Sequence, residues 1–207
     1  MHMSSTNRAV PWKWPILGVS VAMVLAGYLM MPELSLDDEI GYMLRVTARV
    51  AFLFLMLAYL ARPMRMLLGN VSATRDGVRS WLKHRRYFGL AMAFAHTVHA
   101  GYVLALPLVL GVELEIGIIV GGGLAFVLMW AMAATSNDAS IRALGKNWRR
   151  LHLLGLHYLW IIFMQSFIGR VFVEDADPIY AVLVVFGLLG LALRSWVYWS
   201  VRLRRAR

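Results

Sequence analysis

The 207 residues are 60% hydrophobic, include no cysteine and carry a formal net charge of +10. A soluble domain is about half apolar, and lack of cysteine excludes disulfides, thiolate metal sites, iron–sulfur clusters and a cysteine nucleophile. The positive charge sits in short segments between apolar blocks, which assigns it to membrane topology and lipid headgroups and argues against nucleic acid.

The apolar residues fall in blocks of about 20, the length that spans a hydrocarbon core as a helix. The chain is therefore expected to be an all-α membrane bundle of six transmembrane helices, forming one domain over 1–207. The first block runs over 14–31 and ends at Pro32. Arg8 and Lys13 precede it, but it is long and no small-residue cleavage site follows, so it reads as a membrane helix rather than a signal peptide. The second runs over 40–61 and ends at Arg62-Pro63. The third covers 87–110 and contains Pro107, a kink or stop near its outer end. The fourth covers 116–134, with Gly121-Gly122-Gly123 inside it, a cluster suited to close helix packing. The fifth and sixth cover 151–173 and 179–201.

Charge orders these blocks. The tail before the first block, the 62–86 and 135–150 segments and the C-terminal tail hold 17 of the 21 basic residues. The three alternate loops hold nine of the 11 acids, among them Glu33, Asp37, Asp38, Glu39, Glu113, Glu115, Glu174, Asp175 and Asp177. Basic loops stay cytoplasmic, so both termini are expected inside. The long 62–86 segment, with Arg75, Arg79, Trp81, Lys83, Arg85 and Arg86, reads as a topology-setting charge run or an amphipathic interfacial stretch.

Ionisable groups at membrane depth need a reason. Those here are His96 and His99 on the third helix, His152 and His157 on the fifth, and Arg49 on the second. His96 and His99 are three apart and share a face. Imidazoles on neighbouring membrane helices suit axial ligation of haem iron. Zinc would call for three or four ligands, often with carboxylates, and no acid lies at this depth. His152 also suits a wet headgroup position, and His157 a hydrogen bond to a nearby carbonyl. Arg49 could meet a haem propionate, another helix, or snorkel to the interface. No residue is singled out as catalytic.

The third helix reads Arg85-Arg86-Tyr87-Phe88-Gly89-Leu90, then Phe94, His96 and His99. Before and into the fifth stand Thr135-Ser136-Asn137-Asp138, Leu144-Gly145 and Trp148-Arg149-Arg150-Leu151-His152, while Arg62-Pro63-Met64-Arg65 closes the second. From about residue 36 to 170 this resembles the ferric reductase-like transmembrane domain. Within that family it is most similar to the haem-binding membrane subunits of periplasmic methionine sulfoxide reductase systems. The resemblance implies b-type haem carrying electrons across the membrane, with His99 and His152 at ligand positions. The second ligand position on the fifth helix is Gln165, and the partner position on the third is Arg85, beside His84.

At 1.5 Å per residue, His96 and His99 lie about 15 and 20 Å from the cytoplasmic end of their helix, against about 3, 10 and 22 Å for His152, His157 and Gln165. This favours one haem over two, held by His96 or His99 and by His157 or His152. The chain then reads as an oxidoreductase component in a bacterial-type inner membrane. A cytoplasmic flavin reductase or a quinol would be its donor, and the acceptor would lie at the outer face, with a periplasmic reductase as one partner. Since no dinucleotide-binding motif is present, flavin or quinone would enter through a partner. The rival readings are a haem-free scaffold of the same fold and a small histidine-dependent transporter. Alkaline phosphatase fused after Glu39 is expected to be active, and fused after Arg86 or Lys146 inactive. The reverse pattern would invert the topology.

Overall fold

In the computed structural model, which describes residues 13–69, 71–174 and 176–205, all regular structure is helical. The helices are α1 (Lys13–Leu29), α2 (Leu36–Leu68), α3 (Arg75–Val109), α4 (Ile118–Ala134), α5 (Asp138–Leu144), α6 (Lys146–Val171) and α7 (Ile179–Arg205). Four of them, α2, α3, α6 and α7, are long and apolar enough to cross a membrane. A fifth span results if α4 and α5, bent by 106° at their junction, count as one. This is fewer than the six expected, because the 17 described residues of α1 make a helix of only about 26 Å.

The long basic segment departs from a loop charge run and is nearer the amphipathic interfacial alternative. Most of 62–86 is helix, continuing α2 through Pro63 and starting α3 at Arg75. Helix propensity and the partner helix override the break that charge and proline suggest. α2 starts after Ser35, whose hydroxyl donates to Asp38 at 2.7 Å, and Asp37, Asp38 and Glu39 suit the positive end of the helix dipole. The expected fourth helix also differs at its start. Residues Ile118–Gly122 form a π-helical turn, and the Gly121 carbonyl accepts from the Tyr158 hydroxyl of α6 at 3.0 Å.

α2 and α3 form the most extensive helix pair; α1 packs on both, α4 on α3 and α6, and α6 and α7 on α2 and on each other. The contacts between helices repeat one device, a side-chain donor on a neighbour's backbone carbonyl. Ser20 reaches Ala91 at 3.0 Å, Trp81 reaches Leu57 at 2.8 Å and Trp160 reaches Gly187 at 3.2 Å. Between these ties Phe52 packs edge-on against Phe167, with Phe163, Met56, Met129 and Met164 buried around them.

Glycine sets the closest approaches. A Cβ at Gly187 would run into Met164 and lie 3.3 Å from the Phe52 ring, and one at Gly190 would meet Met56. Gly187→Leu is therefore expected to destabilise the fold by about 1–3 kcal/mol. Gly89, with open space at its Cβ, should gain about 0.5–1 kcal/mol as alanine. Thermal unfolding in detergent reads both, and equal behaviour of the two variants would remove the close-packing account.

Candidate functional site

The centre of the bundle holds a histidine pair on α3. His96 is 5% exposed, and its ring stacks on that of His99 with centroids 5.0 Å apart and planes within 5°. Phe126 of α4 and Phe163 of α6 pack against His96 at 4.8 and 4.9 Å. The His99 Nδ1 lies 3.0 Å from Thr47 Oγ1 and 3.2 Å from the Leu44 carbonyl, both on α2. A carbonyl can only accept, and the Thr47 hydroxyl proton is committed to the Met43 carbonyl at 2.6 Å. His99 therefore carries its proton on Nδ1 and keeps a lone pair on Nε2. The Nδ1 of His96 is buried without a hydrogen-bond partner.

The α6 histidines do not join this pair. Among the described residues neither makes a ring contact or hydrogen bond with His96 or His99. His157 donates from Nδ1 to its own helix, at Leu153, at 2.7 Å, and its ring stands edge-on to Tyr59 of α2 at 5.7 Å. His152 stacks on Trp148 at 4.0 Å, donates to the Trp148 carbonyl at 3.1 Å and has Nε2 3.5 Å from Ser136. Gln165 is exposed. His84 donates to the Ser80 carbonyl at 2.7 Å and stacks on Tyr87. Among the described residues no three His, Asp or Glu side chains converge as a metal cage.

Whether these groups suit haem is a question of donors. An axial imidazole needs a free nitrogen and an anchor on the other one, and His99 has both. The unpartnered Nδ1 of His96 leaves a second, unanchored donor beside it. The α3 side therefore fits haem iron. The opposite side is aromatic, lined by Phe126 and Phe163, so a bridge of two histidines between α3 and α6 is not formed here.

Arg49 finds its carboxylate within the protein. Its guanidinium meets Asp177, before α7, at 2.6 Å and lies 4.9 Å from the centre of the Tyr180 ring, with Arg170 5.6 Å from the same ring. A propionate at this place would share Arg49 with Asp177. Tyr180, Asp177 and Thr47 were not singled out by sequence. Only the isolation of Arg49 near an acidic loop hinted at the first two. The Arg85-Arg86 and Thr135–Asp138 motifs, in contrast, build a corner. Arg86 pairs with Asp138 at 2.7 Å, Asn137 caps α5 by accepting from the Ser140 N–H, and Trp148 donates to the Thr135 carbonyl. Gly145 turns the chain from α5 into α6 at φ +50°, a conformation that suits glycine.

Fold and site together define a multi-helix membrane protein with a buried histidine pair on its third helix. No family model matches the chain. It is similar to the haem-binding subunit MsrQ of protein-methionine-sulfoxide reductase from Azospira oryzae, 40% identical over 78 residues, which are 33% of this chain and 30% of that protein. The same subunit from two strains of Xanthomonas oryzae pv. oryzae is 27% identical over 176 residues, 82% of this chain and 76% of theirs. The family resemblance read from the motifs thus agrees with these relatives.

The Asp177 carboxyl is held below its ordinary value, first by the Ile179 backbone N–H, then by the hydrogen bond and charge of Arg49. A depressed carboxyl stabilises the fold above the unfolded value near pH 4 and loses that effect as pH falls through the folded value. Asp177→Asn should lower thermal stability at about pH 7 and flatten the acid-side loss seen in the parent protein. Parallel pH profiles for the two would exclude Asp177 as a contributor.

Proposed function

We propose that this chain is a haem-binding membrane subunit that passes electrons across a bacterial inner membrane to a periplasmic reductase partner. The observation that carries the reading is the buried His96–His99 pair, with His99 anchored through Thr47 and Leu44 so that Nε2 is free. The names of the MsrQ relatives support haem as the ligand and a reductase as the partner. Haem, when bound, supplies a one-electron iron couple. The chain's own part is to hold that iron from α3 and to keep water out with Phe126 and Phe163. Burial of the imidazoles in an apolar layer also tunes the couple.

The donor is read as a cytoplasmic flavin reductase or a quinol, docking on the basic end formed by Arg62, Arg85, Arg149 and Arg150. One b-type haem fits a single layer of α3 donors better than two. His152 and His157 remain candidates for the distal ligand if α6 turns on loading, and Arg49 for a propionate shared with Asp177.

One observation favours a second reading, a haem-free scaffold of the same fold. The α6 histidines are turned to other partners and Gln165 is exposed.

A reduced-minus-oxidised spectrum of protein expressed with ample haem separates the two. A b-type spectrum is expected, with the pyridine haemochrome signal lost in the His96→Ala, His99→Ala double variant. No spectrum in the parent protein selects the scaffold. An unchanged signal in the double variant would refute the α3 placement.

A further inference from the structure

Away from the histidine pair, at the basic end of the bundle, α2, α6 and α7 meet around Tyr59. This side chain is fully buried, and its hydroxyl has no hydrogen-bond partner. Arg194 of α7 lies on its ring, 4.4 Å from the centroid, and donates to the Tyr59 backbone carbonyl at 2.9 Å. His157 of α6 closes another side of the ring.

The Tyr59 carbonyl is available because Pro63, four residues on, has no N–H to give it. That explains one of the five guanidinium donors. It does not explain the charge. Among the described residues the ion pairs are Arg49–Asp177 and Arg86–Asp138, so no carboxylate neutralises Arg194. Arg62, three residues beyond Tyr59 on α2, and Arg85 on α3 add positive charge at the same end of the bundle. A half-buried cation in a membrane helix, reinforced by two more and lying beside an unmet buried hydroxyl, calls for an anion.

We propose that Arg194, Tyr59 and the flanking Arg62 and Arg85 form a site for the phosphate of an anionic phospholipid, at the junction of α2, α6 and α7. A lipid is favoured over a free phosphate because half-buried Arg194 and exposed Arg62 and Arg85 lie on membrane helices at their basic end. Basic pockets between such helices recognise acidic headgroups. Arg194 supplies the remaining fork of donors, and the enclosed Tyr59 holds the guanidinium in place through its ring and its carbonyl. The site stands independently of whether haem is bound.

Native mass spectrometry of the full chain in detergent, titrated with phosphatidylglycerol or phosphatidylcholine, tests this. The first phosphatidylglycerol adduct should form more tightly than the first phosphatidylcholine adduct. Arg194→Gln should weaken only the former, by about fivefold, while Arg142→Gln, on exposed α5 at the same end, should leave both unchanged. If Arg194→Gln fails to fold for want of a partner for the Tyr59 carbonyl, Arg62→Gln, at an exposed position, leaves that bond in place and should still weaken the phosphatidylglycerol adduct. Equal binding of the two lipids by the parent protein, or equal effects of the Arg194 and Arg142 changes, would overturn the site. Competition by glycerol 3-phosphate at the concentrations where lipid binds would overturn the lipid assignment in favour of a free phosphate.

Discussion

A backbone carbonyl without its helical N–H cannot be left in hydrocarbon, where no water can meet it. Pro63 creates one such carbonyl at Tyr59, inside the most buried of the four long spans. Arg194 answers it from α7. That bond fixes where α7 lies on α2, and Gly187 and Gly190 allow the approach it requires. The remaining helices are joined by the same logic. A serine, a tyrosine and three tryptophans each donate to a carbonyl of a neighbouring helix or corner. In a medium where apolar packing alone discriminates poorly between neighbours, these directed donors specify which helices touch and at what height.

Much of this was legible in the sequence as presence, and little as pairing. Apolar block length gave α2, α3, α6 and α7 to within a few residues at most ends, and alternation of charge gave a consistent order. The start of α3 was not legible. Residues 75–86 are basic, and charge reads as loop, but a long helix can leave the membrane and continue in the headgroup layer. α1 fell short of a span within its described residues. Gly121-Gly122-Gly123 read as a packing surface; Gly121 does lie against Ile162 and Tyr158 of α6, and its carbonyl, in a π turn, also accepts from the Tyr158 hydroxyl.

The motifs that carried the family resemblance have a physical basis different from the one that made them conspicuous. Arg86, Thr135, Ser136, Asn137, Asp138, Gly145, Trp148 and His152 belong to a single corner that folds the chain from α4 through α5 into α6. A motif of that kind is specific because every member has a partner within it. It therefore reports the fold more directly than the ligand. His152 belongs to this corner through Trp148 and Ser136, which is why matching it to a ligand position said nothing about where its ring points.

Depth along a helix leaves the pairing of rings open for a related reason. Rise per residue places a side chain along a helix but not around it, and a step of one residue turns it by about 100°. His157 lies within a turn of His96 in depth, yet it faces α2 and Tyr59 while His96 faces Phe126 and Phe163. What does organise the polar interior is α2. It carries Thr47, which anchors His99, Arg49, which meets Asp177, and Tyr59, which bears Arg194. Thr47 and Tyr59 are separated by about 18 Å along the helix. One helix thus holds two arginine–tyrosine contacts, at Arg49 and at Tyr59, with the histidine pair beside the first. Along α2 the Arg194 contact therefore lies nearer the basic end than the histidine pair does. That order follows from α2 alone, whatever occupies the space beside His99.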